Sequence, residues 1–290
     1  MTIAFLSPKD LAAAIGVSES SLKRWVDSGR LVVERTAGGH RRIPYQEAVR
    51  FVRAEGYRVQ DPACFGVLCR HGQDDLNSLE NAVFEALLAG DASRCRSLIT
   101  TAYLAGASAA SLCDGALRSA MARLGELWKH GEDGIAVEHH ATCICIQIVE
   151  QLRMFQPDPA TTAPVAVGGG TTADPYLLPS QMASVVLNEC GYRAMNLGPH
   201  SPNAVLLAAV AKYRPTLVWL SLTSIADVGI CAQSVRELAA SLAGIPLVVG
   251  GRHAASVALI AGPTVHVVGS MCELAAFSRA LVLRRPSPGL

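Results

Sequence analysis

The feature that most constrains this chain is an alternation in its second half. Short apolar runs at 164–167, 194–197, 217–222, 247–249 and 265–268 are separated by helical stretches at 177–190, 202–213, 227–242 and 254–260, and a last one follows at 272–283. Runs this short and this uniformly apolar suit strands buried on both faces. A helix between two such strands acts as a crossover, so successive strands pair in parallel. The expected architecture over 163–285 is a doubly wound, five-stranded parallel α/β sheet. Ligands of such sheets lie at the carboxyl ends of the strands. Gly168-Gly169-Gly170 follows the first strand, Ser221 and Thr223 end the third, and Gly250-Gly251 ends the fourth. Glycine at those ends lets a ligand approach the backbone.

The rest of the chain makes the protein multidomain, as a length of 290 residues also suggests. Between 75 and 156, helical patterns cover 76–89, 92–105, 109–129 and 135–155, with Asp91 and Ser108 as caps. Helices of this length joined by short breaks predict a four-helix bundle. Residues 57–74 lack periodicity and carry Pro62, Gly66 and Gly72, the composition of a linker.

Residues 1–56 read differently again. Ser7-Pro8-Lys9-Asp10 is a helix start, Gly16 a stop, and Ser18 the cap of a second helix whose buried face is Leu22, Trp25 and Val26. A β-like run at 31–33, a turn at 36–39, a return strand at 40–43 and a helix at 44–54 complete a winged helix-turn-helix. Net charge is only +1, yet 23–53 holds eight Lys or Arg against Asp27, Glu34 and Glu47. A basic segment in a neutral chain reads as a nucleic-acid-binding module attached to something else. Ser20, Lys23 and Arg24 lie on the outer face of the second helix, where a major-groove reader needs short polar and basic side chains. Arg35, His40, Arg41 and Arg42 flank the Gly38-Gly39 turn, as a wing that tracks phosphate requires. Trp25 is assigned to the core.

Several function classes are excluded by what is missing. No activated nucleophile or carboxylate pair is recognisable, so the chain reads as a non-enzyme. Gly168-Gly169-Gly170 lacks the phosphate-loop Lys and the G-x-G-x-x-G order. There is no signal peptide and no apolar window long enough for a membrane helix, and the nine Cys are scattered without a C-x-x-C pair. That usage fits a reducing cytoplasm.

Leu22-Lys23-Arg24-Trp25, Gly29-Arg30-Leu31, Arg35 and Gly38-Gly39-His40-Arg41-Arg42 resemble the MerR family of winged-helix regulators over about fifty residues. That resemblance implies a double-stranded DNA operator. MerR-type proteins usually dimerise through a long coiled coil, and no heptad helix follows Glu55, so homo-oligomer contacts must come from elsewhere. The bundle and sheet, 75–283, resemble the cobalamin-binding module of methionine synthase and of light-responsive, adenosylcobalamin-dependent repressors of carotenoid synthesis. The most specific residues are Trp128 and, after nine residues, Glu138-His139. The resemblance implies that this Trp and Glu-His pair face the corrin ring and that His139 can ligate cobalt once light breaks the cobalt–carbon bond. It also implies that Ser221, Thr223, Gly250 and Gly251 hold the nucleotide tail.

One departure is plain. Such modules carry an acid, one residue, His, two residues and Gly after the first strand, and that His is the lower cobalt ligand. Here the stretch reads Asp174-Pro175-Tyr176-Leu177-Leu178-Pro179. A neutral phenol is a poor cobalt ligand beside an imidazole. Either cobalamin binds without a protein lower ligand, or the pocket holds haem, another tetrapyrrole or nothing. The functional expectation is a repressor that senses a corrinoid or related tetrapyrrole, with or without light, through a change of oligomeric state. The alternatives are a regulator with a degenerate pocket controlled by a protein partner, and a corrinoid methyltransferase-type subunit.

Overall fold

A computed structural model describes residues 5–60, 65, 76–126, 132–261 and 265–283. They cluster into two compact units, Met1–Ser108 with Gly115–Pro157, and Ala109–Asp114 with Asp158–Leu290.

The first unit starts with β1 (Phe5–Leu6), α1 (Pro8–Ile15) and α2 (Glu19–Asp27). Ser7 and Asp10 form a reciprocal capping box on α1. Gly16, at φ 68°, turns the chain left-handed, and the Ser18 side chain accepts the Ser21 N–H to open α2. β2 (Glu34–Arg35) and β3 (Arg41–Pro44) form an antiparallel hairpin with Glu34 opposite Arg42, and β1 pairs on the other side of β3. α3 (Tyr45–Ala54) follows directly.

The β-like run expected at 31–33 is not a strand. The Leu31 N–H donates to the Trp25 carbonyl at the end of α2, and the Val32 N–H donates to Glu47 Oε1. Both donors are used before the ladder begins at Glu34. β1 went unread because two residues cannot display a period.

The bundle helices of this unit are α4 (Leu76–Leu88), α5 (Ala92–Leu104), α7 (Arg118–Glu126) and α8 (Glu132–Met154). The helix expected over 109–129 is instead α6 (Ala109–Leu112), a π-helical turn Cys113–Leu117, and α7. A π turn inserts an extra residue, which shifts the register of every side chain beyond it, and periodicity alone does not announce this.

The N-terminal segment packs on the bundle through α3. The Arg53 guanidinium donates to the carbonyls of Tyr103 (2.5 Å) and Ala107 (2.9 Å), and lies 3.8 Å from the Tyr103 ring centroid. The Tyr103 carbonyl lies in the last turn of α5 and also accepts the Gly106 N–H, and Ala107 follows just past the helix end, where a cation complements the helix dipole. Tyr45 adds ring contacts with Phe65 and Phe155, and its hydroxyl donates to the Phe65 carbonyl. Trp25 stacks into a cluster with Phe51 and Tyr57, so it is a packing residue. The start of the expected linker belongs to this packing: Tyr57 joins the cluster, and the Gln60 N–H donates to the Ala14 carbonyl. Residues 61–64 and 66–74 of that stretch lie outside the described residues.

The second unit contains the expected sheet. β4 (Val165–Gly170), β5 (Arg193–Asn196), β6 (Leu217–Ser221), β7 (Leu247–Gly250) and β8 (Val265–Val267) are all parallel, in the order β5-β4-β6-β7-β8. α9 (Leu177–Glu189) and α13 (Met271–Leu283) cover one face; α10 (Asn203–Tyr213), α11 (Val228–Ser241) and α12 (Ala254–Ala261) cover the other. Val218, Leu220, Val249 and Leu206 pack on the α10–α12 side. α6 joins α9 and α13 in this unit, and Asp114 accepts the first N–H groups of α13, from Met271 and Cys272.

On the α9 face, the Trp219 indole lies across Gly168 of the neighbouring strand. A Cβ at Gly168 would stand 2.2 Å from both Trp219 Cδ2 and the Trp219 carbonyl oxygen.

Two stability predictions follow from these contacts. Arg53→Ala should lower unfolding stability by about 1–3 kcal/mol in denaturant titrations, because two carbonyls lose a charged donor and an aromatic face loses its cation. Gly168→Ala should lower it by about 1–3 kcal/mol through overpacking, and no loss would show that Trp219 has room to shift.

Candidate functional site

The carboxyl edge of the sheet is built on Asp174. This residue is fully buried in the loop after β4. Its Oδ1 accepts the Tyr176 N–H (3.1 Å) and its Oδ2 accepts the Thr223 N–H (2.7 Å), so one carboxylate joins the loops after β4 and β6. Burial pushes the carboxyl above the ordinary aspartate range; backbone donors from Thr223, Tyr176 and Ser224 offset part of that rise.

Around it, the Ser221 and Thr223 hydroxyls are 3.1 Å apart. Ser221 is buried, and Thr223 is half-buried. The loop after β5 is stitched to the end of β4: Leu197 N–H to Gly168 O, Gly170 N–H to Gly198 O, and Ser201 N–H to Gly170 O. His200 adds two further bonds, from its N–H to the Asp174 carbonyl (3.0 Å) and between its Nδ1 and the Thr172 carbonyl (2.9 Å). Tyr176 is the N-cap residue of α9 and makes no side-chain cap bond; its side chain is 40% exposed, so it does not fill a pocket. Pro179 falls in the first turn of α9, where no N–H is needed.

The glycines of this edge have partners within the chain. A Cβ at Gly169 would meet the Gly198 carbonyl at 2.6 Å, and one at Gly251, which has φ +106°, would meet the Leu222 backbone at 2.8 Å. Gly250 lies against Val268. Their small size thus serves loop-on-loop packing as well as any ligand. Thr171 Oγ1 and Trp219 Nε1 are buried with no hydrogen-bond partner among the described residues.

In the bundle, α8 presents His139 and Cys143 on its exposed side and turns Ala141, Ile144, Cys145 and Ile148 inward. Cys143 and Cys145 therefore face opposite ways. Glu138 accepts from the Thr142 hydroxyl (2.9 Å), and its Oε2 is 3.8 Å from His139 Nε2, whose side chain is 69% exposed. His140 packs beside Gly90. Trp128 and His130 lie outside the described residues. Among the described residues no cluster of three or more His, Cys, Asp or Glu could hold a metal ion.

In the N-terminal segment, Ser20, Lys23 and Arg24 are exposed on α2, and Arg35, His40 and Arg42 are exposed on the hairpin. Arg41 differs from these. It pairs with Asp27 at 2.8 Å, which ties the hairpin to the end of α2. Among the described residues no helix is long and apolar enough to cross a membrane.

Comparison with known proteins bears on the bundle and on the fold. Residues 79–153 match the B12 binding domain, which supports cobalamin as the cofactor. A search of curated proteins finds no match. The monomethylamine corrinoid protein of Methanosarcina barkeri is similar in structure, at 14% identity and TM-score 0.52, covering 71% of this chain and 100% of its own. The methanol:cobalamin methyltransferase complex of the same organism gives 17% identity and TM-score 0.37 over 92% of this chain and 93% of its own. A cobalamin-binding protein from Desulfitobacterium hafniense gives 15% and 0.36 over 72% and 98%. The first of these likenesses supports the helical bundle plus parallel sheet as the fold.

Sequence reasoning named Asp174, Tyr176, Ser221 and Thr223, which the fold gathers at one edge. It missed His200. The available signal was a His between Pro199 and Pro202 in the loop after the second strand of the sheet.

The raised carboxyl of Asp174 has a definite pH consequence. The folded protein takes up a proton between the ordinary and the raised value, so wild-type stability falls as pH rises through that interval. Asp174→Asn removes this component, at a pH-independent cost from placing an amide N–H₂ against a backbone N–H. Denaturant titrations from about pH 4 to pH 7 should show the stability difference moving in the variant's favour as pH rises. A difference constant with pH would overturn the assignment.

Proposed function

We propose that this chain is a corrinoid-responsive DNA-binding regulator. In this reading the N-terminal segment is a winged helix-turn-helix, the rest of the chain binds the cofactor, and the protein acts as a homo-oligomeric repressor in the cytoplasm. The observation that carries the reading is the content of one compact unit. It contains both the exposed cations of α2 and the hairpin and the residues that match the B12 binding domain, and Arg53 fastens α3 to α5 between them.

When bound, a corrinoid supplies a cobalt centre with exchangeable axial ligands and a cobalt–carbon bond that light can break. The chain's own groups fit the class of ligand. The edge offers the Ser221 and Thr223 hydroxyls, and the buried Thr171 hydroxyl still lacks a partner among the described residues. His139 is exposed on α8 with Glu138 beside it. Asp174 does not touch ligand in this account; it holds the loops in register.

On the DNA side, Lys23 and Arg24 face outward from α2, and Arg35 and Arg42 face outward from the hairpin. Arg41 is a positioning residue, because its guanidinium is engaged by Asp27. For ligand and DNA to influence each other, the ligand must favour one assembly over another, and the coupling is then reciprocal.

A second reading is a corrinoid-carrying subunit of a methyl-transfer system. The full coverage of the monomethylamine corrinoid protein favours it. The part of this chain that has no counterpart there favours the regulator.

One experiment separates the two. The full chain is loaded with adenosylcobalamin, its visible spectrum is recorded in the dark and after illumination, and its preferred duplex is selected from random DNA. Corrin bands should remain after gel filtration, and a duplex sequence should be enriched. The double variant K23A/R42A should lose at least about tenfold in DNA affinity, with each lost phosphate contact lowering the salt slope by about 1, and should retain the corrinoid unchanged. Corrinoid retention without duplex enrichment would overturn the regulator in favour of the carrier. A colourless protein would remove both.

A further inference from the structure

The loop after β4 carries Tyr176 where an imidazole was expected, but an imidazole is present one strand away. His200 sits in the loop after β5, and that loop is bonded directly to the loop that carries Asp174 and Tyr176. Its N–H donates to the Asp174 carbonyl at 3.0 Å, and its ring Nδ1 is 2.9 Å from the Thr172 carbonyl oxygen. A carbonyl oxygen can only accept, so Nδ1 carries the proton. In the neutral ring Nε2 then keeps its lone pair. This is the tautomer and the tether of a metal-ligating histidine, in which the non-ligating nitrogen is held on a carbonyl or carboxylate.

Two further observations bear on His200. It is exposed. Its backbone is left-handed at φ 50°, a conformation unfavourable to a residue with a Cβ and held here by the bonds on both sides of the loop.

The other described imidazoles are placed differently. His253 is half-buried after β7, beyond β6, and its N–H donates to the Leu222 carbonyl. His266 packs on the Phe277 ring at 4.9 Å. His139 and His140 belong to α8, and His40 lies at the β2–β3 turn of the first unit.

We propose that His200 is the lower axial ligand of the corrinoid cobalt, taking the place that Tyr176 leaves without an imidazole. This rests on the corrinoid reading above. Nδ1 stays on the Thr172 carbonyl, which orients the ring, and Nε2 donates its lone pair to the metal.

The test uses cobinamide, a corrinoid without the nucleotide base, so that any axial nitrogen must come from the protein. The full chain is loaded with cobinamide, reduced to the cobalt(II) state and examined by electron paramagnetic resonance. One axial nitrogen splits each cobalt line into a triplet, and ¹⁵N-histidine labelling converts the triplet to a doublet. Wild type should show this conversion. His200→Asn keeps a residue that tolerates the left-handed backbone and should lose the splitting while retaining cobinamide on gel filtration. His200→Gly should also lose it and should regain it when free imidazole is added. His253→Asn should leave it intact.

Wild-type protein that retains cobinamide without nitrogen splitting would overturn the proposal and leave the corrinoid reading standing. Splitting that survives in both His200 variants without added imidazole, or that disappears in His253→Asn, would also overturn it. Failure of wild type to retain either cobinamide or cobalamin would overturn the corrinoid reading itself, and this proposal with it.

Discussion

A buried carboxylate sets the carboxyl edge of the sheet. Placing an ionised carboxylate away from water costs several kcal/mol. Asp174 offsets this with backbone donors from Tyr176, Thr223 and Ser224, and a charge-assisted bond is worth about 1.5–3 kcal/mol. The upward direction of its titration says that burial still outweighs the bonds. Such a residue is costly to keep for stability alone. What it provides is geometry: two loops from adjacent strands, β4 and β6, are fixed by one side chain, and the loop after β5 is fixed by the Asp174 backbone. Ser221, Thr223, Tyr176 and His200 all take their positions from that arrangement.

The other constraint lies in the first unit. A small module on a free tether would respond to the rest of a chain only through local concentration. Here α3 is fastened to α5 by Arg53, and Tyr45 is packed against Phe65 and Phe155. The contact is mixed, with one guanidinium on helix-terminal carbonyls and a few aromatic rings. Contacts of that kind fix how α3 meets α5 through named groups rather than through a flexible tether.

Much of this was legible in sequence because the relevant signals are local. Alternating apolar runs and helical stretches specify a parallel sheet whatever lies around them, and all five strands are found within a few residues of their expected places. Capping at Ser7, Gly16 and Ser18 is likewise local chemistry. What was not legible depends on contacts between distant residues. The run at 31–33 has the composition of a strand, but its N–H groups are taken by Trp25 and Glu47. The helix expected over 109–129 is interrupted by a π turn, and Asp114 within that turn accepts from α13, more than 150 residues away. The glycines at the sheet edge read as ligand-permissive, while in the fold Gly168 accommodates Trp219 and Gly251 accommodates Leu222. A small residue advertises close approach without saying what approaches. His200 was overlooked for a related reason: its significance lies in a bond to Thr172, 28 residues earlier.

Gly168 also bears on where a ligand can lie. A glycine in the middle of a buried strand leaves a slot on the α9 face, and a slender group could enter it between sheet and helix. The Trp219 indole occupies that space, with Cδ2 only 2.2 Å from the place a Cβ would take. At Gly168 that slot is therefore filled by protein. The polar groups left at the rim include the Ser221–Thr223 hydroxyl pair, Thr171, whose buried hydroxyl has no partner among the described residues, and the ring of His200. An orphaned buried hydroxyl costs about 1–3 kcal/mol until something bonds to it. The same rim thus carries an unpartnered hydroxyl and an imidazole whose Nδ1 is held on a carbonyl, while Tyr176 in the loop after β4 stands exposed.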